Sequence, residues 1–202
     1  MDGRAMDDPI PVLDDATPIP GRYEVTDPVP IPAAKPGFEL IDGVLVQKMS
    51  PKRRHQALEV RWAAAFNAWA GDRGEAYPEW RHQFTVPGHT FTSLLPDVAY
   101  MSRAALDELG PSAAEAPPRA PDIAVEILSK GESESKVAWK VGAYLAAGTN
   151  VVFVVDPPRR TVIAHARDGV VRFGPGDTIT HPSMPGFGYA VDAMLDGLYL
   201  GD

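Results

Sequence analysis

The sequence of 202 residues contains no cysteine. This absence excludes disulfide bonds, thiolate metal ligands and a cysteine nucleophile, and it fits a protein of the reducing cytosol. No run approaches the ~20 consecutive apolar residues that a membrane span needs. The acidic first residues also lack the apolar stretch of a secretory signal. We therefore expect a cytoplasmic protein with no membrane partner.

Positive charge is scarce as well. The chain has 19 lysines and arginines against 27 aspartates and glutamates, a net charge of -8. A generic nucleic-acid-binding protein is usually basic, so the balance disfavours that class. Residues 1–36 hold seven acids and three bases, a net of -4, and 37–202 hold the other -4. The charge does not exclude that class, because clustered active-site acids would make up part of it.

Proline, in contrast, is abundant in residues 1–36, which contain eight of them. Proline fixes φ and removes a backbone donor, so this segment cannot form a regular helix or a central strand. We expect an extended or disordered acidic arm, either loosely docked or wrapped around a partner subunit. Residues 37–202 form the second unit, a single domain with enough apolar residues for a sizeable core.

The hydrophobic pattern from 37 to 121 predicts a hairpin, a helix and several strands. Asp42-Gly43 between two apolar runs favours a type I′ turn. Apolar residues then recur at three- and four-residue steps, which is typical of a helix. The predicted elements are a hairpin over 38–46, a helix over 52–71, two or three strands over 75–101 with 76–84 as one run, a short helix over 102–110 and a loop over 111–121.

The second half begins with a strand–helix–strand unit. The pattern predicts strands over 123–128 and 151–156 joined by a helix over 135–147, with the two strands parallel and the crossover right-handed. A hairpin around Asp168-Gly169 follows. We therefore predict an α/β (α+β) fold, a mixed sheet with a helix on each side.

Two acids stand on apolar strands. Glu126 lies in the middle of one, on the opposite face from Ile123, Val125 and Ile127. Asp97 opens another. If these strands are neighbours, the two carboxylates can share a divalent cation. A buried ion pair between Glu126 and Lys140 would explain that glutamate equally well.

The helix over 135–147 offers two lysines. At about 100° per residue, its buried side contains Val137, Val141 and Tyr144. Lys140 borders that side, whereas Lys136 lies farther out. Lys140 is therefore the better catalytic candidate, and Lys136 is more typical of a solvated helix face.

Two carboxylates on strands with a nearby lysine resemble the constellation of the PD-(D/E)xK nuclease superfamily. The resemblance becomes more specific when the ordered motifs of residues 37–200 are compared with the Uma-type family of putative restriction endonucleases. These motifs are Glu39 before Ile41-Asp42-Gly43, His55 at the start of a helix, Pro96-Asp97-Val98, residues 121–129, Lys140 with Tyr144, Gly148, Val155-Asp156-Pro157 and Pro185-Gly186-Phe187.

The resemblance implies a restriction-endonuclease-like core that hydrolyses DNA phosphodiester bonds with Mg²⁺ (or Mn²⁺). Asp97 would be the first acid and Glu126 the second, with the Ile127 carbonyl as an extra metal ligand. Lys140 would take the lysine role, and Glu39 or His55 would complete the site. A homodimer is expected by analogy, because a two-fold pair naturally cuts both strands.

The chain departs from the parent motif at Leu128, where the lysine should stand. Structural alternatives also exist for three candidates: a strand-start cap for Asp97, a helix N-terminal histidine for His55 and a cross-strand pair for Glu39. The alternative function is a catalytically inactive relative that binds nucleic acid or protein.

Overall fold

A computed structural model describes residues 36–41, 44–86, 91–129 and 133–198, together with residue 31 and the backbone of Val12–Leu13. The helices are α1 (Arg53–Ala70), α2 (Arg103–Ala114), α3 (Glu134–Ala146) and α4 (Val191–Leu195), and a 3-10 turn over Gly71–Arg73 follows α1. The strands are β1 (Val12–Leu13), β2 (Phe38–Ile41), β3 (Val44–Gln47), β4 (Gly74–Pro78), β5 (His82–Thr85), β6 (Phe91–Leu94), β7 (Val98–Ser102), β8 (Ile123–Ile127), β9 (Val151–Asp156), β10 (Thr161–Ala166), β11 (Gly169–Phe173), β12 (Thr178–Ile179) and β13 (Tyr189–Ala190).

The strands build two main sheets. The larger has the order β11-β10-β9-β8-β7-β4, and the smaller has the order β1-β3-β2-β6-β5, while β12 and β13 form a separate pair. Within the larger sheet only β8 and β9 are parallel, and they flank α3 in sequence. The predicted parallel strand–helix–strand unit and the mixed sheet are therefore confirmed.

One face of β8 packs against α1. Ile123, Val125 and Ile127 share a core cluster with Trp62 and Phe66 of α1 and with residues of α4. The Trp62 ring centroid lies 5.3 Å from that of Phe153 on β9. Apolar residues at alternate strand positions meet apolar residues at three- and four-residue helix steps, so both periodicities face one core.

The other face of β8 packs against α3. Ala124 lies in a second cluster with Val141 and Tyr144 of α3, and this cluster also contains Phe84 of β5 and Leu94 of β6. A helix therefore covers each face of the larger sheet, as predicted. The second cluster also brings the smaller sheet beside the face of β8 that contains Glu126.

The predicted helix over 52–71 and the predicted hairpin over 38–46 are confirmed. α1 ends at Ala70, and its C-cap is Gly71, whose φ of 58° lies in the left-handed region. β2 and β3 are antiparallel with Ile41 opposite Val44. The turn residues between them, and the predicted proline-rich arm apart from residues 12–13, 31 and 36, lie outside the described residues. Residues 12–13 pair in parallel with the edge of β3.

The prediction of a single strand over 76–84 is wrong. β4 ends at Pro78 and belongs to the larger sheet, whereas β5 begins at His82 and belongs to the smaller one. Glu79 has a φ of 48°, a left-handed conformation that ends the extended run. The described residues between 74 and 102 consequently form four strands rather than two or three.

The predicted loop over 111–121 begins too early. Gly110, with a φ of 73°, breaks α2, but Pro111 then opens another helical turn that extends to Ala114. Proline is favoured at a first helical position because its missing donor has no partner there. The sequence predicted a loop because Pro111 was treated only as a residue that ends a helix. No helix within the described ranges is long and apolar enough to cross a bilayer.

His82 should make stability depend on pH. It is fully buried, its Nδ1 lies 3.0 Å from the Arg119 carbonyl, and no described group bonds to its Nε2. Burial lowers the pKa of His82 to about 4. The unfolded chain, with a histidine pKa near 6.5, binds the proton first, so the stability is fully present above pH ~6.5 and is lost as pH falls toward ~4.

The shift corresponds to about 3 kcal/mol between these limits. Urea unfolding from pH 4 to 7 should show a smaller loss on acidification for His82→Gln than for the wild type. An identical pH slope in both proteins would contradict this account.

Candidate active site

Asp97 and Glu126 face each other across two neighbouring strands. Asp97 is the residue before β7, and β7 and β8 are antiparallel with Val98 opposite Val125. One further step in this register places Asp97 opposite Glu126, where side chains lie on the same face of the sheet. The sequence-based condition for a shared cation, that the two strands are neighbours, is therefore met.

Asp97 is buried and receives several donors. Its Oδ2 accepts a 2.6 Å hydrogen bond from the Ile127 backbone N–H, and its Oδ1 lies 2.9 Å from Lys48 Nζ and 3.3 Å from His55 Nε2. Burial opposes ionisation, but Lys48 and His55 outweigh it and hold the pKa of Asp97 below its usual range. Asp97 is therefore a fixed carboxylate that also anchors the strand beside it.

Glu126 is buried against two residues of α3. Its Oε2 lies 2.6 Å from Lys140 Nζ, and its Oε1 accepts a 3.0 Å hydrogen bond from the Tyr144 hydroxyl. Burial raises the pKa of Glu126 to about 7 against the opposing charge of Lys140. The structure therefore contains the Glu126–Lys140 ion pair that the sequence offered as an alternative to a metal site.

Lys140 is more deeply buried than the helical angles predicted. Its Nζ bridges Glu126 and Glu39, with 2.9 Å to Glu39 Oε1. Burial lowers the pKa of a lysine, but Glu126 and Glu39 outweigh it and raise the pKa of Lys140. Lys140 therefore remains an ammonium. Lys136, one turn earlier, is half-buried and lines the same cavity, unlike the solvated helix face expected for it. Leu128 packs as an apolar residue where the parent motif has its lysine.

Glu39 enters the site from β2 of the smaller sheet. Its Oε1 accepts a 2.9 Å hydrogen bond from the Leu95 backbone N–H in addition to the contact with Lys140. Burial opposes ionisation, but Lys140 and Lys48 outweigh it and lower the pKa of Glu39. The residue opposite Glu39 on β3 is Val46, and the Leu40–Ser93 pair sets Leu94 opposite it on β6. Neither neighbouring strand therefore offers a polar partner for the cross-strand alternative.

His55 lies on α1, between the carboxylates of Asp97 and Glu59. Its Nε2 is 3.3 Å from Asp97 Oδ1 and 3.2 Å from Glu59 Oε1, and its Nδ1 is 3.2 Å from Ser129 Oγ. Burial lowers the pKa of a histidine, but Asp97 and Glu59 outweigh it and raise the pKa of His55 to about 10. At neutral pH, with no other cation bound, His55 is an imidazolium.

All five predicted site side chains consequently meet where the two sheets and the two long helices come together. They line a cavity of about 40 Å³ together with Lys136 and with polar residues that the sequence did not assign to the site, among them Lys48, Glu59, Glu79 and Ser129. Glu59 had a signal, because it stands one helical turn after His55. Lys48 had none, because its place depends on how β3 meets the loop before β7.

The donor set of this cavity suits a divalent cation. A carboxylate has about four acceptor sites, and the described hydrogen bonds and ion pairs leave some of these free on both Asp97 and Glu126. Three candidate ligand atoms, from His55, Glu59 and Asp97, also lie within 4.8 Å of one another. Asp97 belongs both to the pair with Glu126 and to this group of three. The Ile127 carbonyl remains a predicted metal ligand.

The chain is similar to known proteins in sequence and in fold. Residues 28–192 match the model of the family Uma2, described as "Putative restriction endonuclease". No curated protein matches the chain. Among solved structures, a putative nuclease belonging to DUF820 from Anabaena variabilis is similar, at 24% identity over 83% of this chain and 94% of that chain, with a TM-score of 0.73.

At that identity the solved structure shows a shared fold, while the family match covers most of the chain. The fold is therefore that of a nuclease-like protein, and the chain belongs to the Uma2 family of putative restriction endonucleases.

Proposed function

We propose that this protein is a metal-dependent endonuclease that hydrolyses phosphodiester bonds in DNA. The observation that supports this most is the position of Asp97 opposite Glu126, with Lys140 Nζ 2.6 Å from Glu126 at the junction of the two sheets. Membership of a family described as restriction endonucleases supports nucleic acid as the substrate.

In this proposal Asp97, Glu126 and the Ile127 carbonyl hold Mg²⁺ or Mn²⁺, as oxygen ligands typical of hard cations. When bound, the ion would orient a water molecule, lower its pKa and stabilise charge on a phosphate oxygen.

The remaining residues fix these groups and supply positive charge. The Ile127 N–H holds the Asp97 carboxylate, and Tyr144 and Lys140 together hold Glu126. Glu39, fixed by the Leu95 N–H, orients Lys140 from the other side. The basic side chains only partly offset the carboxylates that line the cavity, so the bound dication would complete the positive charge that attracts an anionic phosphate.

Cleavage of a supercoiled plasmid tests the proposal. The wild type should produce nicked and linear DNA with Mg²⁺ or Mn²⁺ and none with excess EDTA, and Asp97→Asn should lose this activity because it removes a charged metal ligand. Asp107→Asn, an exposed change on α2, is the matched control and should cleave like the wild type. Equal cleavage by Asp97→Asn would exclude Asp97 from the chemistry.

A second candidate function is favoured by the close pairing of charges within the cavity. Lys140 contacts Glu39 and Glu126, and Lys48 and His55 contact Asp97. Such a network could stabilise a nuclease fold that binds nucleic acid or protein without cleavage. Salt-dependent DNA binding, with no heat of Mg²⁺ or Mn²⁺ binding in calorimetry, would support this alternative over the nuclease.

The proposed nuclease would act as a homodimer, because two sites related by a two-fold axis can each cut one strand of a duplex. Sedimentation equilibrium should then give about twice the mass of one chain. A monomer that still produces linear DNA would contradict the dimer without affecting the assignment of the site.

A further inference from the structure

The α1 side of Asp97 contains a compact group of potential metal ligands. His55 and Glu59 are one turn apart on α1, which places them on the same helix face. Their ligand atoms and one Asp97 oxygen all lie within 4.8 Å of one another. Glu126 is not a member of this group, so the group is a different ligand set that shares Asp97.

Glu59 is a buried carboxylate with one oxygen that lacks an aligned hydrogen-bond donor. It is only 6% exposed, and no described donor is aligned for a hydrogen bond with its Oε1, although His55 Nε2 lies 3.2 Å away. A buried carboxylate is costly unless it is well paired or binds a metal. Glu59 also lines the cavity, and its candidate ligand atom lies within 4.8 Å of those of His55 and Asp97.

Ser129 contacts His55 in the way that is typical of residues beside a metal-binding histidine. Its Oγ lies 3.2 Å from His55 Nδ1. When Nδ1–H donates to that oxygen, the lone pair of Nε2 is directed toward Asp97 and Glu59. Metal-binding histidines almost always donate their other ring N–H in this way, which fixes the tautomer and the ring orientation.

We propose that His55 Nε2, Glu59 and Asp97 form a binding site for a first-row transition-metal dication, with Ser129 as its positioning residue. A neutral imidazole with two carboxylates balances the charge of a dication. An imidazole ligand suits transition metals better than Mg²⁺, whose ligands are carboxylate, carbonyl and water oxygens. The site does not rest on the proposed cleavage, because it would bind the metal in the absence of DNA.

Mn²⁺ is the probe that tests the site, by electron paramagnetic resonance on the full chain without DNA. The wild type should bind Mn²⁺ and show hyperfine coupling to an imidazole nitrogen. His55→Gln should lose the coupling. Glu59→Gln should weaken Mn²⁺ binding, and any Mn²⁺ that still binds at this site should keep the nitrogen coupling. Ser129→Ala, which keeps all three ligands, should weaken binding about 10-fold.

Glu126→Gln and the exposed change Glu108→Gln on α2 are controls that should keep the nitrogen coupling. Circular dichroism establishes that each variant is folded. If His55→Gln does not fold, the wild-type spectrum and the Ser129→Ala affinity still decide the question. The proposal is overturned if the wild type shows no nitrogen coupling or if the coupling persists in folded His55→Gln. Neither result would change the outcome of the plasmid assay.

Discussion

Replacement of Lys140 by methionine is expected to destabilise the fold by about 3–5 kcal/mol. The side chain is almost completely buried, and its Nζ contacts both Glu126 and Glu39. Methionine has a similar length, so the change removes the charge more than the packing. It leaves two buried carboxylates without their shared cation, and a buried charge that has lost its partner is costly.

This loss should grow as pH rises. Without Lys140 the folded-state pKa of Glu39 should rise above the unfolded value of about 4.3, and that of Glu126, which is already about 7 in the wild type, should rise further. A carboxyl group with a raised folded pKa binds its proton more tightly in the folded state, so stability falls as pH increases through the unfolded value. The difference from the wild type should be smaller at pH 5 than at pH 8.

Urea unfolding of Lys140→Met at both pH values measures this effect. Lys52→Met, an exposed lysine at the start of α1, is the matched control and should change the free energy of unfolding by less than about 0.5 kcal/mol. The double variant Lys140→Met with Glu126→Gln should recover part of the loss, because only Glu39 then lacks its partner. Wild-type stability of Lys140→Met at pH 8 would contradict the ion-pair network.

The change Glu126→Gln should separate catalysis from stability. The amide oxygen can accept from Lys140 Nζ and the amide N–H can donate to the Tyr144 oxygen, so the neighbours of Glu126 keep hydrogen-bonded partners. Lys140 also keeps Glu39 as a counter-ion. We expect a loss of stability of about 1–2 kcal/mol, smaller than that for Lys140→Met.

Plasmid cleavage by the same variant should fall by at least about a thousand-fold. A metal-bound charge supplies several kcal/mol to the transition state, and about 4 kcal/mol corresponds to that factor in rate. Glu108→Gln is the matched control and should cleave at the wild-type rate. A folded Glu126→Gln protein with wild-type activity would show that Glu126 has a structural role and no catalytic one.

The central sheet and half of the site followed from local patterns. Strand alternation placed Glu126 on the face opposite Ile123, Val125 and Ile127, and the structure shows those three residues packed toward α1. Helical angles distinguished Lys140 from Lys136 because both lie on one helix and only one borders its buried side. These predictions needed no contact between distant parts of the chain.

Other parts of the site depend on long-range contacts. Lys48 reaches Asp97 because the smaller sheet packs beside the larger one, and no periodicity in the sequence shows that arrangement. The division of 76–84 between two sheets likewise depends on the left-handed conformation of Glu79, a residue type that does not signal a turn. Glu59 was predictable only in part. Its four-residue spacing from His55 was visible in the sequence, but its burial at the site was not.

We propose that Asp97 and Glu126 together hold the catalytic metal ion. A crystal grown with Mg²⁺ and duplex DNA tests it most directly. We expect an ion about 2.0–2.1 Å from one oxygen of Asp97 and one of Glu126. A crystal with bound DNA in which no ion touches either carboxylate, and Glu126 is still paired only with Lys140 and Tyr144, would contradict it.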